Sequence, residues 1–217
     1  MRDRVLSKVL QLLEGGLTPP FRIRFEEEGH QYWIDEVNVP SVTQVVEQLH
    51  NFGGVDPQVL ARAAERGVLI HRACEFLARG VLDWSTVDSS ILPEVVAFQE
   101  WLEVSGFHPI LVESVVGSKR YKFAGRLDLV GILKSGLCLI DIKTGGQYPA
   151  YSVQTAGLAV GLWECLGIEG VLGPRLNRYC LYLKGSTAKM VAHTDVRDPS
   201  LFFAALTCSH YRREMYP

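Results

Sequence analysis

The chain has 217 residues, 47% hydrophobic and 21% charged. That is enough to bury roughly 70% of the unfolded surface in one globular domain, which excludes a disordered tail or a disulfide-stapled miniprotein. With 22 Lys and Arg against 24 Asp and Glu the net charge is −2, so no global field draws the chain to nucleic acid or anionic lipid, and such a contact must rest on a local patch. The longest apolar run, 156–166, contains Glu164 and falls short of the roughly 20 residues that cross a bilayer. Asp3 and Lys8 interrupt the amino-terminal apolar run, which reads as a first helix and not as a signal peptide. Cys74, Cys138, Cys165, Cys180 and Cys208 are scattered, odd in number and without a CxxC pair, the pattern of reduced thiols in a cytosolic protein.

In chain order, helical spacing over 3–14 stops at Gly15-Gly16 and Pro19-Pro20. Alternation over 21–25 and again over 30–34 predicts a hairpin. Ser41 is a good N-cap for a helix over 42–50, and Asp56-Pro57 opens a second helix reaching about Ala78 before Gly80. A third helix over 93–105 ends at Gly106. The period then changes: 110–116, 121–133 and 137–143 are apolar, β-branched-rich runs separated by short polar turns, the pattern of an antiparallel meander. A helix over 150–166, strands over 179–183 and 190–194, and a final helix over 199–213 complete the chain. With no repeat and no linker-like stretch, the whole of 1–217 reads as one α/β domain with a mixed central sheet flanked by helices. Residues 1–105 form a mostly helical N-terminal extension and 106–217 the sheet core.

The chemistry concentrates on the meander. Side chains alternate along a strand, so Asp141 and Lys143 of LCLIDIK point the same way while Ile142 is buried on the other side. Asp128 lies between Leu127 and Leu129 on the preceding strand, and Glu113 lies among apolar neighbours on the first. Ionisable groups in apolar runs are costly unless paired or bound to metal. Three carboxylates and a lysine on one face therefore ask for a cation, and oxygen donors suit Mg²⁺ or Mn²⁺, one ion or two. Such an ion polarises a scissile phosphate and lowers the pKa of a bound water. Lys143 is placed to orient or deprotonate that water, or to neutralise developing charge.

Asp128, a 12-residue gap and Asp141-Ile142-Lys143 resemble the PD-(D/E)XK nuclease motif, and GRLDLVG with LIDIKTG resembles its RecB-type exonuclease branch. His30-x-Tyr32 with Pro40-Ser41-Val42-Thr43 is similar to the amino-terminal signature of phage-type members, Gly67-x-x-x-His71 to the branch's histidine motif, and Gln154 to its glutamine motif. YKFAGRLDLVG with DIKTG is also similar to the mitochondrial genome-maintenance exonucleases. The ordered set covers roughly residues 30–160.

The resemblance implies a restriction-endonuclease-like core and a metal-dependent DNA exonuclease of phage or bacterial recombination, repair or DNA processing, cytoplasmic and with room for a protein partner. It implies Asp128, Asp141, the Ile142 carbonyl and His71 as metal ligands and Lys143 as the water-positioning base. Glu113 would assist the metal, and Gln154 would hold the lysine or a phosphate. Leu158 stands where many members have tyrosine, with Tyr151 one turn earlier as the available substitute. The cysteines lack the spacing by which some relatives hold an iron–sulfur cluster, and no Walker A sequence is present, so neither a cluster nor a nucleotide is expected. An endonuclease on the same core, or a silent DNA-binding subunit, are the alternatives; the intact Asp128, Asp141 and Lys143 set argues against the second.

The stretch Lys119, Arg120, Tyr121, Lys122, with Arg126 beyond it, combines cations and aromatics and suits contact with single-stranded DNA, or equally a solvated hairpin tip. Arg62, Arg66, Arg72 and Arg79 flank His71 as a second phosphate-facing stripe, with Glu65 and Glu75 available to neutralise them. Glu75 is also placed to orient His71.

Overall fold

The computed structural model describes residues 2–49, 56–168 and 176–216. The elements run α1 (Arg2–Glu14), β1 (Ile23–Glu26), β2 (Gln31–Ile34), β3 (Val37–Val39), α2 (Val42–Glu47), α3 (Pro57–Ala78), a 3₁₀ turn (Trp84–Thr86) and α4 (Leu92–Ser105). The sheet core follows with β4 (His108–Ser118), β5 (Phe123–Leu133), β6 (Gly136–Lys143), α5 (Ala150–Cys165), β7 (Asn177–Lys184), β8 (Thr187–His193) and α6 (Asp198–Met215).

The local signals act as their chemistry requires. Ser41 Oγ accepts the Gln44 N–H at 3.0 Å while Gln44 Oε1 accepts the Ser41 N–H at 2.9 Å, a reciprocal capping box that starts α2. Asp56 Oδ1 accepts from Gln58 N at 2.7 Å to start α3, and Gly106 at φ 65° ends α4. Several details differ from the sequence expectation, among them the start of β8 at Thr187 and of β5 at Phe123. The helix expected over 42–50 closes at Glu47, and His50 lies outside the described residues. His30 does not begin a strand; it sits in the turn between β1 and β2 with φ 49°. The hairpin gains a third strand, Val37–Val39, too short for its period to show between Asp35-Glu36 and Pro40.

The central sheet has the order β4-β5-β6-β7-β8. Only β6 and β7 are parallel, and α5 is the crossover between them; the other neighbours are antiparallel. The sheet is thus mixed, flanked by helices on both faces. On one face Phe123, Leu127, Leu137 and Leu139 pack with Val42, Val153, Leu158 and Phe202 of α2, α5 and α6. On the other, Leu129, Ile140, Ile142 and Leu181 pack with Ile70, Cys74, Val95 and Phe98 of α3 and α4. α5 is apolar almost all round because the sheet lies beneath it and α2 and α6 cover it. α3 and α5 therefore bring His71 and Gln154 to opposite faces of one sheet. β1–β3 forms a separate three-stranded antiparallel sheet that packs Tyr32, Ile34 and Val39 against Ala124. No described helix is long and apolar enough to cross a membrane.

One buried carboxylate ties the second face together. Glu94, 4% exposed in the first turn of α4, accepts the Gly185 N–H at 2.8 Å and ion-pairs with Arg66 at 2.7 Å. Burial by itself would raise its pKa, but the Arg66 and Gly185 bonds outweigh it and hold the acid below its ordinary value. The unfolded chain therefore takes up this proton first as pH falls. The stabilisation is complete above the ordinary value of 4.5 and is lost as pH drops through the folded value. Glu94→Ala should cost about 1.5–3 kcal/mol at pH 7, the range for hydrogen bonds to a charged group. Urea unfolding measures this, and the gap between wild type and Glu94→Gln should narrow as pH falls below 4.5.

Candidate active site

β5 and β6 pair only from Leu129↔Ile140 to Leu133↔Gly136. Beyond that, β5 continues against β4, with a single parallel bridge from Ala124 to Ser41, and β6 continues against β7 with Asp141, Ile142 and Lys143 opposite Cys180, Leu181 and Tyr182. The sheet forks at Asp128 and Asp141. The Ile142 N–H, without a strand partner on the fork side, donates instead to Asp128 Oδ2 at 2.5 Å. Strand geometry turns the Ile142 carbonyl to the same side.

A second irregularity faces the first. Val112 pairs with Leu129 and Ser114 with Leu127, so Glu113 stands across from Asp128. Its backbone is left-handed, φ 46°, a strained conformation for glutamate. The Val112 carbonyl, displaced by this kink, accepts from Arg79 Nη2 at 2.9 Å and Ser114 Oγ at 3.2 Å. The kink also breaks the alternation of β5: Leu127 and Leu129, two residues apart, lie in the cores on opposite faces.

α3 delivers the histidine. It passes close to the segment after β6 at Gly67, where a Cβ would lie 3.3 Å from Thr144 Oγ1, and His71 follows one turn later. His71 Nδ1 is 3.5 Å from Asp128 Oδ2 and 4.0 Å from Glu113 Oε1. His71, Glu113 and Asp128 each offer a donor atom within 4.8 Å of the others. The two His71 separations lie inside the about 4.2 Å that opposed donors span across an ion bonded at about 2.1 Å to each. One imidazole nitrogen with two carboxylate oxygens fits a divalent ion, and its nitrogen makes it a better match to Mn²⁺ than an all-oxygen set would be.

Asp141 is held differently. Its Oδ2 is 2.7 Å from Lys143 Nζ and accepts from the Cys180 thiol at 3.7 Å. Lys143 also donates to Gln154 Oε1 at 2.9 Å, with its ammonium 4.2 Å from the Tyr151 ring centroid. Arg126 Nε lies 2.9 Å from Glu113 Oε2. The site thus gathers Glu113, Asp128 and Asp141 with His71, Arg126 and Lys143.

This company sets the titration. Burial by itself would lower the His71 imidazole, but the charge and hydrogen bond of Asp128, followed by Asp141 and Glu113, hold it up to about 9. Burial and the charge of Asp128 push Glu113 up to about 7 against Arg126 and His71. Burial raises Asp141 despite Lys143, whereas His71, Lys143 and the Ile142 N–H hold Asp128 below its ordinary value against burial. Lys143 stays above its ordinary value because the charge and hydrogen bond of Asp141 outweigh burial.

The structure brings together His71, Glu113, Asp128, Asp141, Ile142, Lys143, Gln154, Tyr151 and Arg126. The hairpin tip is placed elsewhere, at the far end of β4 and β5. Lys119 pairs with Asp35 at 2.7 Å, and the Arg120 N–H donates to Glu164 Oε1 at 3.0 Å. Tyr121 packs on Phe203 with ring centroids 4.7 Å apart, and Lys122 is exposed with φ 54°. Arg72 lies over Phe76 at 5.8 Å; Arg66 is engaged by Glu94 and Arg79 by Glu75. The carboxylates that His71 Nδ1 faces are Asp128 and Glu113, whereas Glu75 pairs with Arg79 at 3.1 Å. Two partners escaped the sequence reading. Arg126, two residues before Asp128, could have been placed on the Glu113 side by alternation; the approach of Cys180 to Asp141 needed the parallel β6–β7 register.

If the Glu113 backbone is held for its carboxylate, Glu113→Gly relieves both the left-handed strain and the repulsion from Asp128. The variant should gain about 1 kcal/mol in urea unfolding and lose the rise in melting temperature that Mn²⁺ is expected to give the wild type. A less stable variant would mean that the kink is not strained.

No family model matches this chain, and no curated protein matches it. Among solved structures it is similar to the crystal structure of SSO0001, with TM-score 0.40 and 16% identity over 94% of this chain and 84% of that one. It is also similar to an alkaline exonuclease, LHK-Exo, from Laribacter hongkongensis, with TM-score 0.35 and 13% identity over 81% and 92% of the two chains. LHK-Exo in complex with dAMP gives TM-score 0.34 and 14% identity over 82% and 93%. At these scores the likeness assigns no activity to the chain.

Proposed function

We propose that the protein is a divalent-metal-dependent deoxyribonuclease of the PD-(D/E)XK type. The observation that carries this reading is the forked sheet edge, where His71, Glu113 and Asp128 converge as metal donors beside a Lys143 anchored on Asp141. His71, Glu113 and Asp128 would hold the ion, Mg²⁺ or Mn²⁺, with the Ile142 carbonyl beside them. When bound, it supplies Lewis acidity at the scissile phosphate.

The chain's own residues do the rest. Asp141 and Gln154 each accept one Lys143 N–H, which fixes the ammonium and leaves its third donor for the attacking water or a phosphate oxygen. The raised pKa keeps this group protonated, so it positions water and offsets developing negative charge. Arg126 neutralises Glu113 on the outer side of the cluster. Within this reading, exonuclease action on DNA ends, in phage or bacterial recombination or repair and alongside a protein partner, is supported by the RecB-type order of the histidine, GRLDLVG, DIK and glutamine motifs.

The test is a cleavage time course on end-labelled linear DNA and a covalently closed circle, with Mn²⁺, Mg²⁺ or EDTA. The expected result is metal-dependent shortening of linear DNA with the circle intact, and a rate lower by about 100-fold or more in Lys143→Ala. Cutting of the circle would replace the exonuclease with an endonuclease. No cleavage with either metal would remove the nuclease reading.

A further inference from the structure

The small sheet β1–β3 does more than cover Ala124. Phe25, His30 and Tyr32 interlock, with ring centroids 5.1 Å apart for Phe25–His30, 4.7 Å for Phe25–Tyr32 and 5.5 Å for His30–Tyr32. Tyr32 is fully buried and anchors the sheet, Phe25 is half-buried, and His30 is exposed. The Arg126 guanidinium lies 5.1 Å from the Phe25 centroid while its Nε holds Glu113. One side chain therefore joins the aromatic group to the metal-donor cluster with no residue between them.

Tyr32, Ile34 and Val39 form the buried contact that seats the sheet, and His30 is not part of it. His30 adopts a left-handed backbone at the turn with its ring set edge-on to Phe25. Partial desolvation of the ring against its neighbours and the charge of Arg126 keep the imidazole below its ordinary pKa, so at neutral pH it offers a neutral aromatic face. Arg126 has donors left after Nε is engaged. A flat aromatic face and a free guanidinium edge, side by side at the mouth of a phosphate-cutting site, are the two elements that grip an unpaired nucleotide.

We propose that His30, braced edge-on by Phe25, and Arg126 form the seat for the nucleotide next to the phosphate that is cut, with its base stacked on the exposed His30 ring and its sugar–phosphate facing Arg126. This rests on the nuclease reading above. The seat selects an unpaired end, because a base held inside a duplex does not present its face to the wall. The hairpin tip does not take this part, since Lys119 is paired with Asp35 and Tyr121 packs on Phe203.

The experiment is steady-state cleavage in Mn²⁺ of a single-stranded 5′-labelled oligonucleotide and of the same length carrying abasic residues at the cleaved end. Wild type, His30→Ala and His30→Phe are compared, with thermal melts to confirm folding. On the normal strand His30→Ala is expected to raise KM about 10-fold with kcat little changed, within the range that one base–aromatic stack contributes. On the abasic strand the difference should vanish, and His30→Phe should restore KM. A KM that rises equally on both strands, or on neither, overturns the seat and leaves the nuclease reading standing. A wild-type protein that cuts no DNA overturns the nuclease reading itself, and the seat with it.

Discussion

The Asp128 carboxylate takes the place of a missing strand at the Ile142 N–H, and the rest of the site depends on that substitution. Where β5 leaves β6, a backbone donor in the middle of an otherwise complete sheet would be left unpaired, at a cost of about 1–3 kcal/mol. Asp128 satisfies it at 2.5 Å and is fixed in return. The fork leaves a gap between two strands that continue in different pairings. Into it project a carboxylate held by the backbone, the Ile142 carbonyl, and on the neighbouring strand the kinked Glu113. A regular ladder here would have filled the same space with hydrogen bonds and left no room for chemistry.

The electrostatics follow from this geometry. Asp128 and Asp141 are each less than a tenth exposed and Glu113 is close beside them, an arrangement that is unfavourable for anions unless cations converge on it. His71 arrives from the helix on one face and Lys143 from β6 under α5, while Arg126 closes the outer side. The fold supplies a balancing cation for each carboxylate from a different element, α3, β5 and β6, and α5 adds Gln154 to hold Lys143. A metal ion held here would compete with the proton for the same donors, since His71 Nδ1 faces both Asp128 and Glu113.

Much of this was legible in the sequence because it is local. Asp141 and Lys143 share a face by strand alternation, Asp128 is delivered by a short hairpin, and His71 follows Gly67 by one helical turn. The helices, the meander and the mixed sheet were also legible, since each rests on periodicity and on caps such as Ser41 and Asp56. What stayed hidden depends on register or on distant pairing. The left-handed Glu113 and the loss of alternation between Leu127 and Leu129 arise from a kink that no residue type announces. Cys180 reaches Asp141 through a parallel pairing that the sequence does not specify. The charges of the hairpin tip looked available because their partners, Asp35 and Glu164, are remote in the chain. Arg126, grouped by sequence with those cations, instead joins Glu113 to the aromatic wall of β1 and β2.

The most direct test of this account is a crystal structure grown with Mn²⁺ and measured at the manganese absorption edge. The account expects an anomalous peak in the fork, within bonding distance of His71 Nδ1, Glu113 and Asp128, with Lys143 still on Asp141 and Gln154. A fork without a peak at saturating Mn²⁺, or a peak whose protein ligands include none of these three side chains, would contradict it.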